Sequence, residues 1–167
     1  MTQLTICAPL AIEGLAVRRG LSGQQAALVR VVRAGYGPER AAATAARLSA
    51  AGPPEALAVA GVGGGAAADL RTGDIVVGTQ ASYRGAAIGC PSAPLLAGEL
   101  RRAGLRVRLG PVQTVDRLFR PREPDAAAAG GAVAVDMESA PLLAAAGDAP
   151  AALRRNRPSA LTGNTSR

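Results

Sequence analysis

The chain has no histidine, no lysine and no tryptophan, and it holds one phenylalanine, two tyrosines and two cysteines in 167 residues. Each shortage removes a class of function. Without histidine there is no Ser-His or Cys-His nucleophile, so acid–base chemistry falls to carboxylates, water or phosphate. Cys7 and Cys90 lie far apart, and a zinc site would rest on two thiols and carboxylates, an unusual donor set. Cys7 sits in an apolar run and reads as a small core residue rather than a thiolate. The absence of lysine excludes a phosphate-binding P-loop. The scarcity of aromatics leaves Ala, Val, Leu and Ile to build the core. No apolar run reaches the ~18 residues of a membrane span. The N-terminus lacks the basic start and long apolar stretch of a secretory signal, so a cytoplasmic protein without integral membrane contact is expected.

What is present is 49% hydrophobic content, enough for one domain with a sizeable core. All 19 basic residues are arginine and the formal charge is +7. Arg154, Arg155, Arg157 and Arg167 fall in the last 17 residues, which contain no acid; residues 1–150 hold 15 arginines against all 12 acids. The excess is therefore a tail plus scattered surface charge, without the continuous basic face and interleaved aromatics of a nucleic-acid binder. Nucleic acid is not an expected partner.

Short apolar segments alternate with helical ones. Leu4–Ala8, Val29–Arg33, Ala56–Ala60, Ile75–Thr79, Val107–Val115 and the run into Asp136 read as strands. Pro111 suggests a bend or an edge position in its strand. Helices are predicted after the turn Pro9–Gly14, over Glu39–Ala50, within Pro91–Gly104, in the later part of Arg120–Ala129 and over Ala140–Ala146. This order predicts a three-layer αβα sandwich around a mixed, largely parallel sheet. The expected domain spans residues 1–150, followed by a basic, disordered tail over 151–167.

Two features carry chemistry. Gly61-Val62-Gly63-Gly64-Gly65 follows a strand. Its spacing is not that of a dinucleotide fingerprint, and too little chain separates it from Ile75 for a crossover helix. A dinucleotide-binding oxidoreductase fragment is thereby disfavoured, and a loop whose backbone approaches a ligand, or a structural turn, remains. The second feature is Ala134-Val135-Asp136-Met137-Glu138-Ser139, where an apolar strand delivers two carboxylates to a strand–helix junction. Ligands of open α/β sheets sit at such junctions. Glu138 is a candidate to grip a polar ligand and Met137 to pack against it. Equally, Asp136 caps the next helix and Glu138 occupies its first turn.

The glycine loop with Asp69-Leu70-Arg71-Thr72-Gly73-Asp74-Ile75-Val76-Val77, the 134–139 run and Ala34-Gly35-Tyr36-Gly37-Pro38 together resemble the nucleoside phosphorylase and nucleosidase superfamily. Ile6-Cys7-Ala8-Pro9-Leu10, Glu13 and Gly110-Pro111-Val112 bring the likeness nearest to bacterial hopanoid-biosynthesis proteins of that superfamily. The resemblance covers roughly residues 4–146. It implies cleavage of the N-glycosidic bond of a purine nucleoside, a 5'-substituted adenosine such as adenosylhopane, by water or phosphate and without a cofactor. Glu138 matches the residue on the ribose 2'- and 3'-hydroxyls and Met137 the residue packed on the sugar. Val62, Gly63 and Gly64 fall in the substrate loop, and Leu118 and Phe119 at the base pocket. Glu13 matches the position of a water-activating carboxylate, although it also suits an ordinary helix start. Arg33 and Gly35 are the candidates for phosphate, with Arg18, Arg19 and Arg71 also available. Members of the superfamily form oligomers, so a homo-oligomer is compatible with the likeness.

The resemblance also exposes a departure. The family continues into a further strand ending in an aspartate that protonates the purine, and then a helix. Here no aspartate follows Asp148, so the fold is expected to lack its last strand and helix through truncation or a change of frame. A catalytically inactive homologue that only binds nucleoside, or that associates with an intact partner, is the alternative to an enzyme.

Overall fold

The computed structural model of the protein describes residues 3–117 and 130–146, together with the backbone of residues 154–155. The expectations for Leu118, Phe119 and Arg120–Ala129, and most of the tail, lie outside the described residues. Within them the fold is α/β, with strands in two sheets. Strand β1 (Leu4–Ala8) lies between β2 (Val29–Arg33) and β3 (Ala56–Val59), all three parallel. The second, mixed sheet runs β4 (Gly64–Gly65), β8 (Ala134–Asp136), β7 (Val107–Thr114), β5 (Ile75–Tyr83), β6 (Ala86–Gly89) and β9 (Arg154–Arg155).

The helices follow the expected positions. Helix α1 (Ala11–Gly20) starts inside the predicted Pro9–Gly14 turn, because the Glu13 carboxylate reaches back to accept the Leu10 N–H and closes the first turn. A short helix α2 (Gln24–Leu28) leads into β2. Helix α3 (Pro38–Ala50) has proline at its first position, where no backbone donor is lost, and buries Ala41, Thr44, Ala45 and Leu48. Helix α4 (Ala93–Arg102) packs on β5 and β7. Its chain leaves through Gly104 at φ +81°, a conformation that costs glycine little. Helix α5 (Ser139–Leu143), continued by a 3-10 turn to Ala146, packs on α3, β3 and β5 and so spans the two sheets. Leu57 and Leu142, at 1% and 0% exposure, mark the centre of the core.

Pro111 takes the bend, not the edge. Strand β7 is interior, flanked by β5 and β8. The β5–β7 pairing passes from Gly78↔Gly110 to Ala81↔Val112, so β5 bulges by a residue opposite the proline that cannot donate. On its other side, toward β8, the Pro111 carbonyl accepts the Val133 N–H at 2.8 Å. A Cβ on Gly110 would lie 2.5 Å from Val133 Cγ1. Cys7 is fully buried and its thiol is pushed up to about 11 by that burial, as a core residue should be.

Gly110→Ala is accordingly expected to destabilise the protein by about 1–3 kcal/mol through overpacking. Urea denaturation checks it, and an unchanged midpoint would show that Val133 yields freely.

Candidate functional site

The strand β8 ends at Asp136, and the two carboxylates that follow separate into different tasks. Asp136 Oδ1 accepts the Thr114 hydroxyl at 2.7 Å and Oδ2 accepts the Ser139 N–H at 2.9 Å. Thr114 Oγ1 in turn accepts the Ala140 N–H at 3.0 Å. Asp136 therefore fixes the start of α5 to β7, the capping role open to it from sequence. Glu138 does not share that role. Its side chain is 6% exposed. Oε1 accepts the Gly37 N–H at 2.7 Å, and Oε2 accepts the Met137 N–H at 3.2 Å.

Gly37 is the partner that sequence reasoning missed, although it stands in the Ala34–Pro38 motif. It has φ +91° just before Pro38, a turn that aims its N–H at the carboxylate. Burial raises the Glu138 pKa above the ordinary carboxylate value, against the lowering effect of the Gly37 N–H; Asp136 and Glu13 raise it further. Each oxygen keeps one acceptor direction after its backbone bond. The arrangement can therefore take two neighbouring hydroxyl donors side by side.

The glycine loop lies next to this carboxylate. Gly64 and Gly65 pair with Val135 and Ala134 as β4, and a Cβ on Gly63 would stand 2.9 Å from the Val135 carbonyl oxygen. The glycines thus serve close approach to β8 as well as to a cavity. Val62, Gly63 and Gly64 do line the same cavity of about 880 Å³ as Glu138. Val62 is 84% exposed at its rim, and its N–H donates to Glu13 Oε1 at 2.9 Å. Glu13 therefore ties α1 to the glycine loop: it starts the helix and holds the loop at once.

A second cavity, about 1660 Å³, opens on the other side of the junction, with Met137 in its wall. Much of the rest is alanine, from Ala42 and Ala45 of α3 to Ala140 and Ala144, with Tyr36, Tyr83 and Ile88. At its mouth the Tyr83 hydroxyl donates to Asp116 Oδ1 at 2.5 Å, and Arg84 lies over the Tyr83 ring while pairing with the same carboxylate. The Asp116 bond raises the tyrosine pKa and lowers that of Asp116.

The two leading phosphate candidates, Arg33 and Gly35, are not brought to either cavity. Arg33 is exposed at the end of β2, and the Gly35 N–H is occupied by the Pro9 carbonyl at 3.1 Å. Arg18 is bonded to the Val31 carbonyl. The arginine that does line the Glu138 cavity is Arg71, ranked below Arg33 from sequence. Among the described residues no cluster of His, Cys, Asp and Glu could hold a metal ion.

Comparison with known proteins bears on the fold that carries these residues. The sequence matches the Phosphorylase superfamily over residues 13–152. The chain belongs to that superfamily. Similar solved structures include futalosine hydrolase of Helicobacter pylori, with a TM-score of 0.71, 16% identity and coverage of 85% of this chain and 81% of that one. The S-adenosylhomocysteine nucleosidase of Streptococcus pyogenes gives 0.71 and 19%, covering 87% and 77%. The 5'-methylthioadenosine/S-adenosylhomocysteine nucleosidase of Colwellia psychrerythraea, solved with adenine, gives 0.72 and 21%, covering 86% and 76%. No curated protein matches the chain by sequence. The described residues contain no helix long and apolar enough to cross a membrane.

A carboxyl whose folded value is raised binds its proton more tightly in the folded state, so stability is greatest below the ordinary carboxylate range. It falls as pH rises from the unfolded value to the raised one, then levels. Glu138→Gln is expected to abolish that fall in urea titrations from pH 4 to 8; an identical pH profile in the variant would contradict it.

Proposed function

We propose that this phosphorylase-superfamily domain is a nucleosidase that hydrolyses the N-glycosidic bond of a 5'-substituted adenosine, with adenosylhopane as the favoured substrate type. The observation that carries the proposal is Glu138, a buried carboxylate pinned by two backbone N–H groups with one acceptor direction open on each oxygen. That geometry suits the vicinal 2'- and 3'-hydroxyls of ribose. The negative charge also stabilises the oxocarbenium-like cation that forms as the bond to the base breaks. Met137, on the neighbouring cavity wall, packs against the sugar. Val62, Gly63 and Gly64 border the base side.

The wide, alanine-lined cavity beyond Met137 supports a bulky apolar 5'-substituent. Alanine gives a smooth wall with little rotamer entropy to lose against a rigid polycycle. Water is favoured over phosphate because the first-ranked phosphate candidates, Arg33 and Gly35, stand outside both cavities, which leaves Arg71 as the one phosphate candidate that borders the Glu138 cavity. Glu13 is the carboxylate assigned to activate that water, a role for which one of its oxygens has to leave the Leu10 or Val62 N–H that it accepts in this structure.

A second reading has its own support. The other acids lining the Glu138 cavity are already engaged, Asp136 with Thr114 and Ser139, Asp74 with Arg106 and Arg71. Among the described residues that line the cavity none is open to protonate the departing purine, a service worth about 10²–10⁴ in rate. Under this reading the domain binds nucleoside without turning it over.

Release of free adenine from adenosylhopane and from 5'-methylthioadenosine, with and without phosphate, separates the two. Hydrolysis predicts phosphate-independent adenine release, reduced about 10²–10³-fold in Glu138→Ala and at least 10²-fold in Glu13→Gln. Adenine no higher than in Glu138→Ala would leave only the binding reading, and release that requires phosphate would reject hydrolysis.

A further inference from the structure

We infer that the outer face of α1, together with the tip of the glycine loop, is a docking surface for an anionic lipid bilayer. The inner side of α1 lies on the first sheet: a Cβ on Gly14 would stand 3.6 Å from Ala8 Cβ and 3.7 Å from Val31 Cγ1, and the Arg18 guanidinium donates to the Val31 carbonyl at 2.9 Å. On the outer side Ile12, Leu15, Ala16 and Arg19 recur at the spacing of one helical face, and all four are exposed. Ile12 is 73% exposed and Leu15 44%. A helix lying on a sheet ordinarily turns its apolar stripe inward. Here the stripe faces outward and an arginine runs along the sheet.

Glu13 extends the stripe onto a second element. Its carboxylate accepts both the Leu10 and the Val62 N–H, so these two exposed apolar residues stand together at the start of the helix. Four of the eight large hydrophobic residues exposed among the described ones are thereby gathered in one patch, a concentration that marks an interaction surface. Ile12 and Leu15 line neither the Glu138 cavity nor the alanine-lined one. The patch is the outer side of a helix and a loop tip, not a groove.

The charge around it is of one sign. Arg18 and Arg19 end α1, and Arg33 lies two residues beyond Val31 in β2, on the sheet face that α1 covers. The ion pairs among the described residues belong to Arg84, Arg102, Arg106 and Arg108, so Arg18, Arg19 and Arg33 have no carboxylate partner there. A protruding apolar stripe flanked by arginines suits a helix lying in the headgroup layer, its apolar side chains at the acyl boundary and its guanidinium groups on lipid phosphates. A second copy suits the patch poorly, because a two-fold contact would set these arginines against the same arginines of the other protomer. Val62 also stands at the rim of the Glu138 cavity, so docking brings that rim to the headgroups. The inference rests on the α1 surface and stands whether or not the domain cleaves nucleosides.

The test is co-sedimentation of the 167-residue protein with vesicles of equal parts phosphatidylglycerol and phosphatidylcholine, and with vesicles of phosphatidylcholine alone. Binding at least tenfold stronger to the anionic vesicles is expected, reduced at least tenfold in Ile12→Asp and in Leu15→Asp and weakened in Arg19→Gln. These side chains are exposed, so the urea midpoint should stay as in the parent. The chain has no tryptophan, which makes Ile12→Trp a single reporter: its emission should shift to the blue on anionic vesicles, and that of Leu95→Trp, an equally exposed position on α4, should not. Absence of binding, or binding undiminished in Ile12→Asp, would overturn the proposal. So would binding lost only when Arg154, Arg155, Arg157 and Arg167 are changed to glutamine, since the contact would then be the tail. Blue Ile12→Trp emission without vesicles would overturn it as well, because a second copy, where the shift grows with protein concentration, or another segment of this chain, where it does not, would then cover the patch.

Discussion

A buried carboxylate is the constraint on which the rest of this molecule turns. Taking a charged Glu138 out of water is costly unless hydrogen bonds replace the lost hydration, and here they come from two distant parts of the chain. The Gly37 N–H arrives from the turn before α3, 101 residues away in sequence, and the Met137 N–H from the end of β8. The Gly37 turn therefore has to be held against β8 and α5. Packing of α3 on α5 does this, and so does the Asp136–Thr114–Ser139 network, which fixes where β8 ends. The result is a carboxylate whose orientation is set before any ligand arrives. Ordering the site in advance reduces what a nucleoside must supply on binding.

Glu13 plays a matching part on the other wall. One carboxylate joins the start of α1 to the glycine loop, so the loop is held by the first helix as well as by the pairing of Gly64 and Gly65 with β8. The glycines follow from closeness: the Val135 carbonyl leaves no room for a Cβ at Gly63. Two walls, each anchored by one glutamate, frame the junction between the small and the large cavity. On the proposed reading a nucleoside would place its ribose at Glu138 and Met137 and its 5'-substituent toward the alanine-lined side.

Local chemistry made much of this legible in the sequence. Pro38 and Glu39 mark the start of α3, the β-branched run marks β5, and the apolar stretch into Asp136 marks β8. The superfamily followed from three ordered motifs. What was not legible is long-range or atypical. The hairpin joining β5 to β6 turns at Arg84-Gly85, both at positive φ (+47° and +80°), and Gly85 alone, without Asn or Asp before it, is a weak signal in the sequence. The division of labour between Asp136 and Glu138 depends on Thr114 and Gly37, whose approach no local pattern encodes. Arg33 looked better placed than Arg71 because it ends a strand, yet only the folding of the chain decides which arginine borders a cavity.

The proposed nucleosidase reading stands or falls on Glu138 holding a ribose diol. Calorimetric titration of the protein with 5'-methylthioadenosine and with its 2',3'-dideoxy counterpart tests it most directly. The account predicts at least tenfold weaker binding of the dideoxy compound, with that difference lost in Glu138→Ala. Equal affinity for the two nucleosides in the parent protein would contradict it.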